Sequence, residues 1–152
     1  MPETKDTPQP PARLRTLASW QASKMSTIGT RLFARRMKLS ARADFAVLAV
    51  LEESGPLSQA DIGRRLGLDR NDVNGILNRL ESEHRVRRET DPADRRRNVV
   101  LLTGEGRLYL DELQEYTEAV QDELLAGLSA AERRHLRELL TKLLGGHRQE
   151  PA

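Results

Sequence analysis

One stretch of this 152-residue chain cannot be helical, and it constrains everything around it. Asp91-Pro92-Ala93-Asp94 separates two five-residue runs, Val86 to Thr90 and Asn98 to Leu102. Pro92 lacks a backbone donor and has a fixed φ, and Asp side chains close turns on their own backbone. The sequence therefore predicts two strands joined by a turn whose tip carries Arg95, Arg96 and Arg97. Elsewhere the apolar residues recur at helical spacing. With 38% apolar but only 3% aromatic residues, Leu and Ala must fill the core, which favours packed helices over a sandwich. The length predicts one domain.

Six helices follow from pattern and caps. Leu14, Leu17, Met25, Ile28 and Leu32 predict a long first helix from Ala12 to Lys38. Ser40 is the expected N-cap of a second, ended by Gly55-Pro56. Ser58, with Asp61 three residues on, starts a short third helix that Gly67 stops. Asp69 caps a fourth, with Val73, Ile76, Leu77 and Leu80 as its stripe. After the hairpin, Thr103 caps a fifth helix with Tyr109, Leu113, Tyr116, Val120, Leu124 and Leu128 along one side. Ser129 and Glu132 box the start of a sixth, whose leucines are Leu136, Leu139, Leu140, Leu143 and Leu144, and Gly145-Gly146 is its expected end.

Two short helices joined by Leu66-Gly67-Leu68-Asp69 and followed by a hairpin are a winged helix-turn-helix plan: a mainly α fold with a small β-hairpin wing. At roughly 100° per residue, Asn71, Asn74, Gly75, Asn78 and Ser82 share the side of the fourth helix opposite its apolar stripe. Arg70 and Arg79 flank them. Solvated helix faces usually mix Lys and Glu, so an amide-rich face without either is unusual. Asn can pair with adenine N6 and N7 in a major groove, and Arg with guanine or phosphate. Arg at a loop tip suits the negative potential of a narrow minor groove.

Charge says more by position than by total, and the total would not identify a nucleic-acid binder. Net charge is +2, but residues 1–40 hold eight Lys and Arg against two acids, residues 41–102 balance at eleven each, and residues 103–152 hold six against ten. The absence of Cys excludes disulfide scaffolds, thiolate metal sites and thiol redox switching. The longest apolar run, Phe45 to Leu51, is too short to span a bilayer, and Met1-Pro2-Glu3-Thr4-Lys5 does not open a signal peptide. The expectation is a cytoplasmic, nucleoid-associated protein with no membrane partner.

The stretch Leu57 to Asp69 resembles the helix-turn-helix entry of the MarR family of bacterial transcriptional regulators. Asp91-Pro92-Ala93-Asp94-Arg95-Arg96-Arg97 followed by Leu102-Thr103-Gly104-Glu105-Gly106 is similar to that family's Asp-Pro-x-Asp-x-Arg … Leu-Thr-x-x-Gly signature. The likeness covers about residues 12–146. It implies a homodimeric winged-helix repressor or activator, with repressor the first choice, on a pseudo-palindromic double-stranded DNA operator, with an anionic aromatic effector bound between the DNA-binding lobe and the dimer helices. It also implies an organisation: 12–39 a dimerisation helix, 40–103 the DNA-binding lobe and 104–146 the C-terminal dimerisation helices, while the Pro-rich polar composition of residues 1–11 predicts a disordered tail and residues 147–152 are an expected flexible tail.

Carried onto this chain, the resemblance places Arg70, Asn71, Asp72 and Asn74 at the bases and nearby phosphates, with Asn78 and Arg79 further along the same helix. Ser58 and Gln59 match a phosphate-contacting helix start. Arg96 matches the signature wing Arg, flanked by Arg95 and Arg97. Asp94 is either the acid that holds Arg96 or a turn-forming Asp. Three departures stand out: Asp72 where Ser or Thr is usual, Gly75 at an often basic position, and His84-Arg85 in place of Gly-Leu. A left-handed His84 would cost on the order of 1 kcal/mol relative to Gly.

Other readings carry less. His84, His135 and His147 lie in separate elements, and no nucleophile-base set, metal-ligand spacing or phosphate loop occurs, so no enzyme, metal or cofactor is expected. Trp20, Phe45, Tyr109 and Tyr116 either fill cores or line an effector pocket. The alternatives to a specific regulator are a helical protein-interaction module and a non-specific architectural DNA binder.

Overall fold

The computed structural model describes residues 8–147. The expected N-terminal tail lies outside the described residues up to residue 7, and the expected C-terminal tail from residue 148 on. The elements are α1 (Ala12–Arg15), α2 (Ala18–Ala34), α3 (Ser40–Ser54), α4 (Gln59–Leu66), α5 (Arg70–Ser82), β1 (Val86–Thr90), β2 (Asn98–Leu102), α6 (Gly104–Leu124) and α7 (Ala130–His147). Among the described residues no helix is long and apolar enough to cross a membrane.

Where length alone predicts one domain, the chain divides into two compact units, residues 30–119 and residues 1–29 with 120–152. The first unit has a leucine- and valine-rich core. Val47, Leu48 and Leu51 of α3 are buried, as are Ile62 of α4, Val73, Leu77 and Leu80 of α5, Val86 and Val100 of the hairpin, and Leu110 and Leu113 of α6. The strands pair antiparallel with Val86 opposite Leu102 and Thr90 opposite Asn98, at the boundaries the sequence predicts. Leu57 adds a short third rung, exchanging backbone hydrogen bonds of 3.2 and 2.8 Å with Val100. This fixes the wing's base to the chain just before α4.

Caps explain why α4 and α5 start and stop where they do. The Ser58 hydroxyl accepts from the Asp61 N–H at 3.1 Å, and the Asp69 carboxylate from the Asp72 N–H at 2.9 Å. Gly67 closes α4 at φ 66°, ψ 33°. Gly63 lets the next turn pass, since a Cβ there would lie 2.9 Å from the Leu68 carbonyl oxygen. At the end of α5, His84 stands at φ 60°, the left-handed conformation that favours Gly. Its N–H donates to the Glu81 carbonyl and the Arg85 N–H to the Leu80 carbonyl, satisfying two orphan acceptors of the last turn.

The Leu102-Thr103-x-x-Gly106 motif has a physical basis at the same place. The Thr103 hydroxyl accepts from the Gly106 N–H at 3.0 Å, capping α6, and donates to the His84 carbonyl at 2.6 Å. A Cβ on Gly106 would overlap the Arg85 carbonyl oxygen. The linker between α5 and β1 and the start of α6 therefore meet backbone to backbone.

Several helix boundaries differ from expectation. The first helix is broken after Arg15 and ends at Ala34 rather than Lys38. The Thr16 hydroxyl bonds back to the Ala12 carbonyl at 3.2 Å, and the Gln21 side chain takes the Arg15 carbonyl at 2.7 Å, so side chains replace the backbone ladder there. Ser40 is the first residue of α3, not its cap. The preceding Leu39 is itself helical, and the Ala41 and Arg42 N–H groups donate to Lys38 and Leu39 carbonyls. In the second unit α6 ends at Leu124, which leaves Leu128 in a turn. Ser129 and Glu132 form a reciprocal capping box at 3.2 and 2.7 Å. Gly145 and Gly146 continue α7 to His147; neither has a positive φ. Leu139, Leu140, Leu143 and Leu144 on α7 are exposed.

Candidate nucleic-acid interface

A polar groove in the first unit is lined by the first turn of α4, the outer face of α5 and the wing tip. It brings together Ser58, Gln59, Arg70, Asn71, Asn74, Arg96 and Arg97, which the sequence places in three separate elements. Asp72 and Asn78 are exposed on α5 but outside the groove, and Arg95 is exposed on the wing, also outside it.

Arginine partners decide which cations are free. Arg97 reaches the Asp61 carboxylate at 3.2 Å, and Arg64 binds its other oxygen. The hydrogen bond from Ser58 (2.6 Å) and the neighbouring Arg64 hold the Asp61 carboxyl below the usual carboxylate range. Asp61 thus ties the wing to α4 through Arg97, not through the signature residue Arg96. Among the described residues the guanidinium groups of Arg70, Arg95 and Arg96 have no protein partner and face solvent.

Two expected DNA contacts have other work. Arg79 turns inward and pairs with Asp44 of α3, a carboxylate that is only 2% exposed. It belongs to the packing of α5 on α3, and its position beside the amide face did not reveal this. The Asp94 carboxylate accepts from the Arg96 backbone N–H at 3.0 Å and makes no ion pair with the Arg96 side chain, so Asp94 is the turn-forming residue. The Asp91 carboxylate does likewise for Ala93 at 2.9 Å. Gln59 donates to the Arg70 carbonyl at 3.4 Å, linking the two helix starts.

The aromatic candidates separate. Trp20 lies on α2 in the second unit, with the Lys24 ammonium 5.2 Å from its ring centroid. In the first unit Phe45 is half-buried and Tyr116 exposed. The Tyr109 hydroxyl donates to Asp44 at 3.3 Å, and its ring carries the Arg85 guanidinium at 3.4 Å. Burial and the Asp44 charge push the Tyr109 hydroxyl up from its ordinary pKa of 10.0.

Sequence reasoning passed over Asp44, Asp61 as a wing anchor, and Arg88. The guanidinium of Arg88 donates to the Asn78 and Asn74 side-chain oxygens at 2.9 and 3.3 Å. The signal for Arg88 was the strand period, which puts it on the same face as buried Val86. Among the described residues no group of three or more His, Asp or Glu side chains is arranged to hold a metal.

Comparison with known proteins agrees with this geometry. Residues 39–97 match the MarR family. The HTH-type transcriptional repressor NicR of Pseudomonas putida is 32% identical over 100 residues, 66% of this chain and 63% of NicR. The chain thus spans just under two thirds of that relative's length. A probable transcriptional regulator from Pseudomonas aeruginosa, known as a crystal structure, superimposes with a TM-score of 0.76 at 30% identity, covering 86% of this chain and 99% of that one. BpsR of Bordetella bronchiseptica, described as regulated in DNA binding by 6-hydroxynicotinic acid, superimposes with a TM-score of 0.72 at 28% identity over 82% of this chain and 96% of that one. With a wing signature whose Thr103, Gly106 and Asp94 each have a structural task, the helix-turn-helix and wing of this chain, residues 39–97, are those of the MarR family pattern of transcriptional regulators.

Proposed function

We propose that this chain is a sequence-specific double-stranded DNA-binding transcriptional regulator, a repressor, that acts in the cytoplasm at the nucleoid. The observation that carries this reading is the single groove joining the starts of α4 and α5 to the wing tip, with unpaired Arg70 and Arg96 on its rim. Asn71, Asn74 and Asn78 meet base edges in the major groove, and Asp72 lies at the helix start where it can accept only from a donor such as cytosine N4. Ser58, Gln59 and Arg70 contact phosphate, and Arg95 and Arg96 reach the minor groove, with Arg97 orienting the wing.

The working form is a homodimer built from residues 12–39 and 104–146, with residues 40–103 as the DNA-binding lobe. The exposed leucines of α7 support this, because four at helical spacing are an apolar face that water penalises. An isologous dimer sets half-sites about one helical turn apart. A small anionic aromatic effector releases the DNA, as the regulation of BpsR by 6-hydroxynicotinic acid suggests by kinship. Trp20, Phe45, Tyr109 and Tyr116 are the aromatic side chains to test against it.

The test is selection of bound genomic fragments with purified protein from about 50 to 200 mM salt. Recovery of an inverted repeat, with affinity falling steeply as salt rises, is the expected result. Enrichment without a common sequence identifies an architectural binder instead. No enrichment at low salt, with or without aromatic carboxylates, replaces DNA by a protein partner.

A further inference from the structure

On the amide face of α5, Asn74 and Asn78 are not free to present either end of their side chains. Asn74, Asn78 and Glu81 fall on one stripe of the helix, and β1 lays Arg88 across it. The Glu81 carboxylate accepts from the Arg88 N–H at 3.0 Å and from its guanidinium at 3.1 Å. The same guanidinium spans the Asn78 and Asn74 amides at 2.9 and 3.3 Å. An Arg side chain has donors only, so the amide atom facing it must be the carbonyl oxygen in both residues. The NH2 groups are therefore the ends left for a ligand. The Asn71 side chain, by contrast, has no hydrogen-bond partner among the described residues and keeps both ends available.

We propose that Arg88 is a positioning residue that sets which bases Asn74 and Asn78 read. The inference rests on the DNA-reading role proposed above. Two-point pairing of Asn with adenine needs its oxygen for N6–H and its NH2 for N7. With the oxygen turned to Arg88 by a charge-assisted hydrogen bond, stronger than a neutral one, one of its two lone pairs is taken and the NH2 is the end without a protein partner. The NH2 donates to N7 of adenine and guanine alike, and also to guanine O6 or thymine O4, so the contact does not single out adenine. Arg88 is suited to the task because Glu81 anchors it through both backbone and side chain. Swinging an amide away would leave a donor of the partly buried guanidinium unmatched.

The experiment compares full-length wild type with Arg88→Leu, which removes every donor, and Arg88→Lys, which keeps charge and stem but lacks the fork. Base pairs under Asn74 and Asn78 are located as those whose preference relaxes in Asn74→Ala and Asn78→Ala. The affinity ratio for adenine over guanine is then measured there, with thermal unfolding recorded for each variant. Wild type should distinguish the two purines by less than about threefold. Arg88→Leu should gain a preference for adenine of about tenfold, the scale of a two-point pair, and Arg88→Lys a smaller gain in the same direction. The ratio at the Asn71 position should not move. Loss of charge or of stability lowers affinity at every sequence and leaves this ratio alone, so the ratio isolates the positioning role. Strong adenine preference in wild type, an unchanged ratio in both variants, or no base preference lost in either Asn→Ala variant overturns the role of Arg88 while leaving DNA binding standing. A wild type that selects no sequence overturns both.

Discussion

The Arg79 guanidinium leaves the outer edge of α5 to pair with the Asp44 carboxylate inside α3. Asp44 is the buried partner and Arg79 the half-exposed one; the Tyr109 hydroxyl from α6 completes the acid's surroundings, while the Arg79 Nε is buried without a partner. That asymmetry predicts unequal costs. Removing Arg79 strands a carboxylate in the core, whereas removing Asp44 leaves a cation that can turn to water. Arg79→Ala should cost about 3–5 kcal/mol and Asp44→Ala about 1–3 kcal/mol in urea unfolding. Equal costs would mean that Asp44 finds water when Arg79 is gone.

Gly106 packs where any side chain would meet the Arg85 carbonyl. Gly106→Ala must push the start of α6 away from Arg85 in the linker between α5 and β1, and should destabilise by at least about 2 kcal/mol despite the better helix propensity of Ala. Gly75 meets nothing within 4 Å, so Gly75→Ala is the control and should be neutral or slightly stabilising. Thermal unfolding of the pair checks both.

His84 occupies a left-handed position that Gly adopts without strain. His84→Gly should stabilise the protein by about 0.5–1 kcal/mol, the relief of strain being partly offset by the looser unfolded chain. A loss of stability would show that the His84 side chain contributes contacts outweighing its backbone cost.

On the wing, Arg96→Ala should weaken DNA binding across all sequences and lower the slope of log affinity against log salt by about one. Arg97→Ala should also weaken binding, but through a wing no longer tied to Asp61. Asp61→Ala should therefore remove most of the effect of Arg97→Ala in a double-mutant cycle. Additive effects would mean that Arg97 acts on DNA independently of Asp61.

The Asp61 carboxyl is held below its ordinary value of 3.8, first by the Ser58 hydroxyl and then by Arg64. A carboxyl depressed in the folded state contributes stability above the unfolded value and loses it as pH falls through the folded one. The contribution is thus intact at pH 5 and declines below about pH 4. Asp61→Asn should flatten that part of the acid limb in thermal melts between pH 5 and pH 2. An acid limb parallel to wild type would remove Asp61 from the acid response.

Much of the architecture was legible because it rests on local chemistry. Pro92 and its flanking acids close a turn in almost any context, and Val86–Thr90 and Asn98–Leu102 then pair as the expected hairpin. Ser58, Asp69, Thr103 and Ser129 cap helices because a short side-chain oxygen within three residues of a free N–H finds it without help from distant contacts. The break at Thr16 escaped notice because a hydroxyl bonding to the Ala12 carbonyl leaves the apolar spacing unchanged.

The sequence by itself determined the winged helix-turn-helix plan, the amide-rich face of α5 and the clustering of arginines at the wing, all products of spacing along one element or across one turn. Only the tertiary structure decided what each polar group is free to do. Arg79 is consumed by Asp44, 35 residues away, and Arg97 by Asp61, 36 residues away, while Arg88 takes the oxygens of two asparagines on another element. A charge run records how many cations are present. Their pairing depends on which carboxylates and amides the fold carries within hydrogen-bond reach, and that distance is set by packing between elements rather than by order along the chain.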